Sequence, residues 1–263
     1  MKFLNPAHLE EASLERFLNE FNTSTPYKHL VVDNFLQDSI VNTLFEKFPA
    51  YEVFNKKYDG LNEKKAEGSN FQDFDPTFTE LRDLVSSEEF CKWISAVTGV
   101  KEVFVTNDAL GTGLHQGKKG SFLDIHIDFS MHHLENVYRR LNLLIFFNKG
   151  WKDEWNGHTE LWNAEMTECV KKVRPDFNRA LIFETTGLSY HGYGVINPPE
   201  DVNRKSFYTY FYTKTPGSQD GAYHDTIFKA RPEDGAFKKI KTNIKESSKN
   251  FIKSQLKKIG IKF

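Results

Sequence analysis

The sequence is poor in several features that mark whole classes of protein. Two cysteines, Cys91 and Cys169, occur in 263 residues, too few for the disulfide framework of a small secreted domain. No run of about 18 apolar residues is present, so no transmembrane helix is expected. The N-terminal residues turn polar too early for an apolar signal segment. These shortages predict a cytoplasmic protein, with both cysteines serving as small buried apolar side chains.

An excess of one charge is missing as well. The 35 Lys and Arg nearly balance the 36 Asp and Glu, for a formal net charge of −1. Such a balance offers no overall attraction to nucleic acid, so a nucleic-acid partner is not expected. Aromatic residues, by contrast, make up 14% of the chain, within a hydrophobic fraction of 39%. This is the composition of a folded globular protein that is long enough for one large domain.

The first hundred residues carry mainly helix signals. Apolar residues at three- and four-residue spacing predict helices over 7–22, 39–48 and 77–97, the last with a break near Ser86-Ser87, and a strand is predicted over 27–36. Residues 55–70 are rich in Lys, Glu, Asn and Gly, and we expect them to form a mobile loop that acts as a lid. This part of the chain should therefore supply a helical layer.

From residue 100 the character changes. Short strand-like runs, separated by turn residues, follow one another as far as residue 213. Many short strands after a helical part indicate a jelly roll, or double-stranded β-helix, so the fold class is α+β or mainly β with flanking helices. We expect one domain over 1–228, in which the helices within 7–97 pack on a β core over 100–213.

Residues 229–263 differ from everything before them. They contain eleven Lys or Arg against three Asp or Glu, and their apolar residues recur near helical spacing. The pattern predicts a basic amphipathic helical tail. We expect its apolar stripe to pack on the domain; contact with an anionic partner or a membrane surface is the alternative.

The first chemical signal lies in the strand predicted over 121–128. Side chains alternate across a strand, so His126 and Asp128 point to one face. An imidazole and a carboxylate side by side supply two of the three ligands of the facial triad that holds non-haem Fe(II). A paired, satisfied polar couple is the alternative interpretation of this short pattern.

A third ligand and a cation follow downstream. The apolar strand 180–183 runs into a turn and then reaches His191, and an aromatic strand begins at Arg204. The distal carboxylate of a 2-oxo dicarboxylic acid needs a permanently charged, bidentate partner, which an arginine supplies. Ser206 lies on the same strand face as Arg204 and could add a hydroxyl hydrogen bond.

The order H-x-D, H, R-x-S, formed by His126, Asp128, His191, Arg204 and Ser206, resembles the iron(II)- and 2-oxoglutarate-dependent oxygenase superfamily in its prolyl 4-hydroxylase-like branch. The resemblance implies that the two histidines and the aspartate bind Fe(II). It also implies that 2-oxoglutarate chelates the metal while its far carboxylate pairs with the arginine. Ascorbate is a possible reductant in such systems.

The resemblance covers roughly residues 27–213, and it includes departures from the family pattern. The family commonly has a Tyr about nine residues before the first His, where this chain has Gly117. A second pocket Tyr is replaced by Phe146. The polar group expected to substitute in co-substrate binding is Asn142.

The resemblance implies hydroxylation of an unactivated C–H bond, with decarboxylation of 2-oxoglutarate to succinate and CO₂. The substrate is expected to be a small molecule or a prolyl or peptidyl side chain. Related halogenases carry Gly or Ala in place of the aspartate, so the presence of Asp128 favours hydroxylation over halogenation. A non-catalytic jelly-roll binding module and a nucleic-acid oxidative demethylase remain as alternatives, the latter because of the basic tail.

Other polar residues near these motifs receive simpler interpretations. His132 and His133 follow the H-x-D pattern and are expected to be solvated or close to substrate, within a second lid over 129–139. Lys205 is expected to face away from Arg204, because neighbours on a strand point to opposite sides.

Overall fold

The computed structural model describes residues 1–108, 110–132, 134–217 and 223–244. The described helices are α1 Glu11–Thr23, α2 Asp38–Glu46, α3 Pro76–Val85, α4 Glu88–Thr98 and α5 at residues 236–244, with short 3-10 turns at Pro6–Leu9, Tyr51–Val53, Phe71–Asp73 and Asp153–Trp155. The described strands are β1 His29–Val32, β2 Lys56–Asp59, β3 Glu63–Gly68, β4 Thr112–Gly117, β5 Phe122–Ile127, β6 Tyr138–Phe146, β7 Thr159–Trp162, β8 Cys169–Val173, β9 Arg179–Glu184, β10 His191–Tyr193, β11 Arg204–Thr213 and β12 Ile227–Phe228.

The strands form one sheet that curls into a nearly closed barrel. Its neighbour order is β1-β9-β6-β11-β4-β3-β5-β10-β7-β8, with β2 added to β3 and β12 added to β5. Strands β9, β6, β11 and β4 lie in one half of this order, and β5, β10, β7 and β8 lie in the other. This arrangement confirms the predicted jelly-roll core with flanking helices.

The helical layer packs its aromatic side chains on the outside of the barrel. The Phe90 ring of α4 lies 5.5 Å from Trp93 and 6.3 Å from Phe211 of β11, between ring centroids. Burial of each ring stabilises the fold by about 1.5–3 kcal/mol. The helix starts where the Ser87 hydroxyl accepts a hydrogen bond from Phe90 N and ends at Gly99, whose φ is 78°. Substituting Ala for the serine should cost about 1 kcal/mol.

The prediction of a mobile loop at 55–70 is wrong. Most of this segment is the hairpin β2–β3, in which β2 lies along one edge of β3 while β4 and β5 pair one after the other along its opposite edge. The polar composition is misleading because Glu63, Lys65 and Glu67 face the barrel interior and pair with one another there. A strand that lines a polar cavity lacks the apolar alternation by which strands are recognised.

The described part of the basic tail is held by charges rather than by its apolar stripe. Phe237, Ile240 and Ile244 of α5 are 79%, 58% and 60% exposed, so the expectation that this stripe packs on the domain is wrong for them. Instead, Lys238 Nζ lies 2.9 Å from Asp124 Oδ2 of β5. Residues 245–263 lie outside the described residues, and the domain boundary at residue 228 stays a prediction.

The two cysteines differ in their burial. Cys91 is buried as predicted, whereas Cys169 is only half-buried. Among the described residues, no helix has the length and apolar character that crossing a membrane would require.

Candidate active site

Two neighbouring strands bring the three predicted ligands together. His126 lies in β5 and is paired directly with His191 of β10, while Asp128 follows the end of β5. His126 Nε2 lies 3.5 Å from Asp128 Oδ1, and His191 Nε2 lies 3.3 Å from Asp128 Oδ2. The ligand atoms of all three residues lie within 4.8 Å of one another. A single strand pairing thus joins histidines that are 65 residues apart (191 − 126) in the chain.

The backbone sets the tautomer of both imidazoles. His126 Nδ1 lies 2.9 Å from the Asp124 carbonyl oxygen, and His191 Nδ1 lies 2.9 Å from the Ser189 carbonyl oxygen. A carbonyl can only accept, so each Nδ1 donates its proton and each Nε2 keeps a free lone pair that faces Asp128. Burial and the neighbouring His191 lower the pKa of His126, which keeps that ring neutral. Two neutral imidazoles and one carboxylate are the donor set of a facial Fe(II) site.

Two side chains of β6 hold the carboxylate through one of its oxygens. Arg139 Nη2 donates to Asp128 Oδ2 over 3.0 Å, and Asn142 Nδ2 donates to the same oxygen over 2.8 Å. Burial alone would raise the pKa of Asp128, but the Arg139 charge holds that pKa well below its usual range. The carboxylate is therefore charged and fixed in orientation.

Arg139 is a buried site residue that does not belong to the H-x-D, H, R-x-S motif order. Its side chain is 1% exposed, and its guanidinium carbon lies 3.5 Å from the centre of the Tyr210 ring and 4.4 Å from that of Phe129. Nε and Nη2 both donate to Asn142 Oδ1, at 3.0 and 2.8 Å. Nη1 is buried and has no hydrogen-bond partner within the described part of the chain.

The structure gives Asn142 a different set of partners from those expected. Its amide nitrogen donates to Asp128 and its amide oxygen accepts from Arg139, so both ends are engaged beside the Asp128 carboxylate. Its predicted contact with a co-substrate stays a prediction. The inward direction of the side chain followed from strand alternation, but its partners did not.

Arg204 lies in the same cavity as the three ligands. It is 5% exposed, and it donates from Nε to the Gly157 carbonyl over 2.9 Å and from Nη2 to Thr159 Oγ1 over 3.1 Å. Its guanidinium carbon lies 4.3 Å from the centre of the Tyr193 ring. Ser206, which is 1% exposed, lines the cavity beside it as expected. Neither Thr159 nor Tyr193 was predicted, because their roles depend on contacts between distant strands.

Two further polar residues of the cavity come from β3 and β4. Lys65 is 8% exposed and lies 3.6 Å from Glu63 and 3.7 Å from Glu67, measured from Nζ to carboxylate oxygens. His115 Nε2 lies 3.4 Å from Glu67 Oε2, in a contact that is electrostatic rather than a well-directed hydrogen bond. The His115 ring also stacks on Tyr208, with 4.4 Å between ring centroids.

The histidine after the H-x-D pattern is structural. His132 is 1% exposed, so its expected solvation is wrong. Its Nε2 lies 2.7 Å from Asp108 Oδ2, and its Nδ1 accepts from the backbone N–H groups of Leu134 and Glu135. Both ring nitrogens are therefore engaged, which leaves no lone pair for a metal. His133 lies outside the described residues.

Lys205 faces away from the cavity, as expected from strand alternation. Its ammonium lies 5.1 Å from the centre of the Phe45 ring, on the helical side of the sheet. Lys205 therefore does not compete with Arg204 for an anion in the cavity.

Together, the barrel and the site define a jelly-roll protein with a buried His-Asp-His triad and an arginine in one cavity. Residues 112–212 match the family model described as "2OG-Fe(II) oxygenase superfamily", and all six predicted site residues lie within this segment. This segment of the chain is thus similar to the iron(II)- and 2-oxoglutarate-dependent oxygenases, the superfamily that its prolyl 4-hydroxylase-like motifs indicated. No curated protein matches the sequence.

Solved structures show the same fold at low sequence identity. A prolyl-4-hydroxylase from Pseudomonas putida is 14% identical with a TM-score of 0.54, covering 76% of this chain and 98% of its own. A prolyl hydroxylase from Trichoplax adhaerens, in complex with a hypoxia inducible factor peptide fragment, is 17% identical with a TM-score of 0.53, covering 76% and 91%. A non-heme alpha ketoglutarate dependent carbocyclase from nogalamycin biosynthesis is 12% identical with a TM-score of 0.53, covering 88% and 90%.

Proposed function

We propose that His126, Asp128 and His191 bind Fe(II), and that Arg204 and Ser206 bind the far carboxylate of 2-oxoglutarate. The observation that carries this proposal is the shared cavity, in which two free Nε2 lone pairs and a fixed carboxylate converge beside a buried guanidinium. The reaction is hydroxylation of an unactivated C–H bond, coupled to decarboxylation of 2-oxoglutarate to succinate and CO₂. When bound, the iron and its co-substrate supply the oxidising power.

The chain's own residues hold the reacting groups and exclude water. Asp124 and Ser189 hold the two imidazoles through their backbone carbonyls, and Arg139 and Asn142 hold the carboxylate. Such partners behind the ligands typically account for a 10- to 100-fold share of metal affinity, as an order-of-magnitude estimate. Geometry set in advance lowers the cost of reaching the reactive arrangement.

We infer that the substrate is a small molecule or a peptidyl or prolyl side chain that offers a hydrogen-bond acceptor near the metal. The support is Arg139, a charged residue of the cavity wall whose buried Nη1 has no hydrogen-bond partner in the described chain. Leaving such a group unpaired is costly, so a substrate oxygen that satisfies it would gain affinity. Solved neighbours include a prolyl hydroxylase in complex with a peptide fragment and a carbocyclase from nogalamycin biosynthesis, which supports keeping both substrate classes.

The experiment is succinate formation from 2-oxoglutarate under air, with Fe(II) and ascorbate. The native chain is compared with Asp128→Ala and with Asp153→Ala, a control whose side chain is 71% exposed. Turnover in the native chain and the control, and none in Asp128→Ala, supports the oxygenase. An absence of both turnover and Fe(II) binding in anaerobic titration would contradict it and would favour a binding module.

Iron binding without turnover has a separate meaning. It would indicate that 2-oxoglutarate is not consumed until the true substrate arrives. Candidate peptides and small molecules are then screened by the succinate formation that they stimulate, with the Asp128→Ala chain as the blank.

A further inference from the structure

The adjacent strands β3, β4 and β11 place two cationic residues, Lys65 and Arg204, on either side of Gly117. Gly117 of β4 is paired with Arg204 of β11, and the register of β3 on β4 pairs Ala66 with Gln116. Continuing that register by one residue sets Lys65 opposite Gly117. Neighbouring strands are about 4.8 Å apart, so the Cα atoms of Lys65 and Arg204 are separated by about 10 Å. Gly117 contributes no side chain to this row.

Lys65 reaches into the cavity from the β3 side. Both Lys65 and Arg204 line the cavity that contains the triad. Both cations also lie close enough to His115 to lower its pKa, next to the effect of burial. The two long side chains therefore approach the same region from opposite sides.

The Lys65 ammonium has charge partners but lacks hydrogen bonds. Glu63 and Glu67 lie 3.6 and 3.7 Å away, beyond hydrogen-bond range, and Nζ makes no hydrogen bond within the described residues. An ammonium has three N–H donors, and leaving them unmet in a buried place is unfavourable. Burial alone would lower the pKa of Lys65, but the two carboxylates raise it, so the group is charged.

We propose that Lys65 is a second cationic contact for the far carboxylate of 2-oxoglutarate, opposite Arg204. This proposal rests on the proposed function. A carboxylate between the two side chains would accept from the free donors of both, so the site would favour a 2-oxo acid that carries a second carboxylate. The row of Lys65, Gly117 and Arg204 places this contact at the Arg204 end of the cavity. Arg139 and Asn142 contact Asp128 instead.

The test measures 2-oxoglutarate binding by calorimetry to protein loaded with Ni(II), a redox-inactive substitute for Fe(II). Lys65→Met is compared with Lys64→Met, its neighbour in β3, whose side chain is 43% exposed and pairs with Asp59. We expect Lys65→Met to raise the Kd of 2-oxoglutarate about 10- to 100-fold, the effect of losing a charged hydrogen bond. Lys64→Met should leave the Kd unchanged.

A second ligand shows which end of the co-substrate Lys65 contacts. 2-Oxobutyrate keeps the chelating 2-oxo acid group but has no far carboxylate, so its Kd should be the same in the native protein and in Lys65→Met. Equal loss of affinity for both ligands would overturn the proposal, because it would place Lys65 at the chelating end or assign it a structural role.

A double variant distinguishes direct contact between Lys65 and the co-substrate from an indirect effect, in which Lys65 only neutralises the negative charge of Glu67. Lys65→Met removes one of the two lysine partners of Glu67, whose other partner is Lys56 at 3.8 Å, and the less compensated negative charge could by itself repel the co-substrate. Lys65→Met/Glu67→Gln removes both charges and keeps an acceptor for the Tyr208 hydroxyl, which lies 3.2 Å from Glu67 Oε1. Affinity that stays weak in the double variant supports the contact, and native affinity there would overturn it.

Failure of this inference and failure of the proposed function give different results. Native protein that binds neither Ni(II) nor 2-oxoglutarate contradicts the function itself. Native protein that binds both, with a Lys65→Met protein of equal affinity, contradicts only the role of Lys65. If Lys65→Met has a lowered thermal midpoint, Lys65→Gln replaces it in the same comparison, and unchanged affinity in that variant also overturns the role.

Discussion

Asn142 Nδ2 donates to Asp128 Oδ2 over 2.8 Å, so the amide of β6 supports the proposed metal-binding carboxylate from behind. The same oxygen receives Arg139 Nη2 over 3.0 Å. An aspartate held by two donors cannot rotate freely, and its position relative to the two imidazoles is set before a metal arrives. This relationship gives Asn142 a testable role that differs from contact with the co-substrate.

Asn142→Leu should weaken metal binding about 10- to 100-fold, because the aspartate loses one of its supporting donors. The measurement is anaerobic Fe(II) titration, followed by 2-oxoglutarate titration of the metal-saturated protein. Asn22→Leu, at an exposed position of α1, serves as the control. Weakened 2-oxoglutarate binding with unchanged metal affinity would show instead that Asn142 touches the co-substrate.

Arg139→Met should destabilise the metal-free protein by about 3–5 kcal/mol, because it leaves the buried Asp128 charge without its cation. Urea unfolding of the metal-free chains measures the loss. Arg82→Met is the control, since its partner Asp83 is 63% exposed and such pairs contribute about 0–1 kcal/mol. Equal losses in the two variants would argue against a special role for the Arg139–Asp128 pair.

Thr159→Val should weaken 2-oxoglutarate binding about 3- to 10-fold, with metal affinity unchanged. Valine keeps the shape of the side chain but removes the hydroxyl that accepts from Arg204 Nη2, and a lost hydrogen bond of this kind is worth about 1 kcal/mol. Calorimetry on the metal-loaded protein measures the change. Thr43→Val, on the outside of α2, gives the baseline. An unaltered Kd would mean that Arg204 does not depend on Thr159 for its orientation.

His115 should make the unfolding free energy depend on pH. Burial, Lys65 and Arg204 lower the pKa of His115 from 6.5 to about 4 in the folded chain, despite the opposing effect of Glu67. Between these values the unfolded chain binds more protons than the folded one, so stability is full above pH 6.5 and falls as the pH is lowered towards 4. The slope contributed by one such group is at most about 1.4 kcal/mol per pH unit.

His115→Gln removes this titration. Urea unfolding between pH 6.5 and 4.5 is the appropriate window, because the depressed pKa of Glu67 affects stability only below its ordinary value of 4.5. We expect a flatter pH dependence in the variant than in the native chain. Parallel curves would show that the folded protein does not resist protonation of His115.

Strand alternation and motif order were enough to predict much of the site. The pattern of His126 and Asp128 on one strand face, followed by His191 and Arg204, predicted residues that the fold does bring into one cavity. The helices and the jelly roll followed from apolar spacing and from many short strands. These features are local, because each depends on residues a few positions apart, or on a motif order that the family resemblance supplies.

Other members of the cavity could not be predicted in this way. Lys65 and Glu67 belong to a polar segment whose composition favoured a loop, and they face inward because β3 pairs with both β4 and β5 in the barrel wall. Arg139 and Thr159 acquire their roles from partners 11 residues (139 − 128) and 45 residues (204 − 159) away in the chain.

The sequence by itself determined the class of the protein, its ligand types and the strand faces that carry them, because alternation and residue chemistry are properties of short segments. Only the tertiary structure decided which side chains hold one another in position. The pairing of His191 with His126, the support of Asp128 by β6 and the row of Lys65, Gly117 and Arg204 arise from the registers of separate strands. Register depends on how the whole sheet closes, and no short segment contains that information.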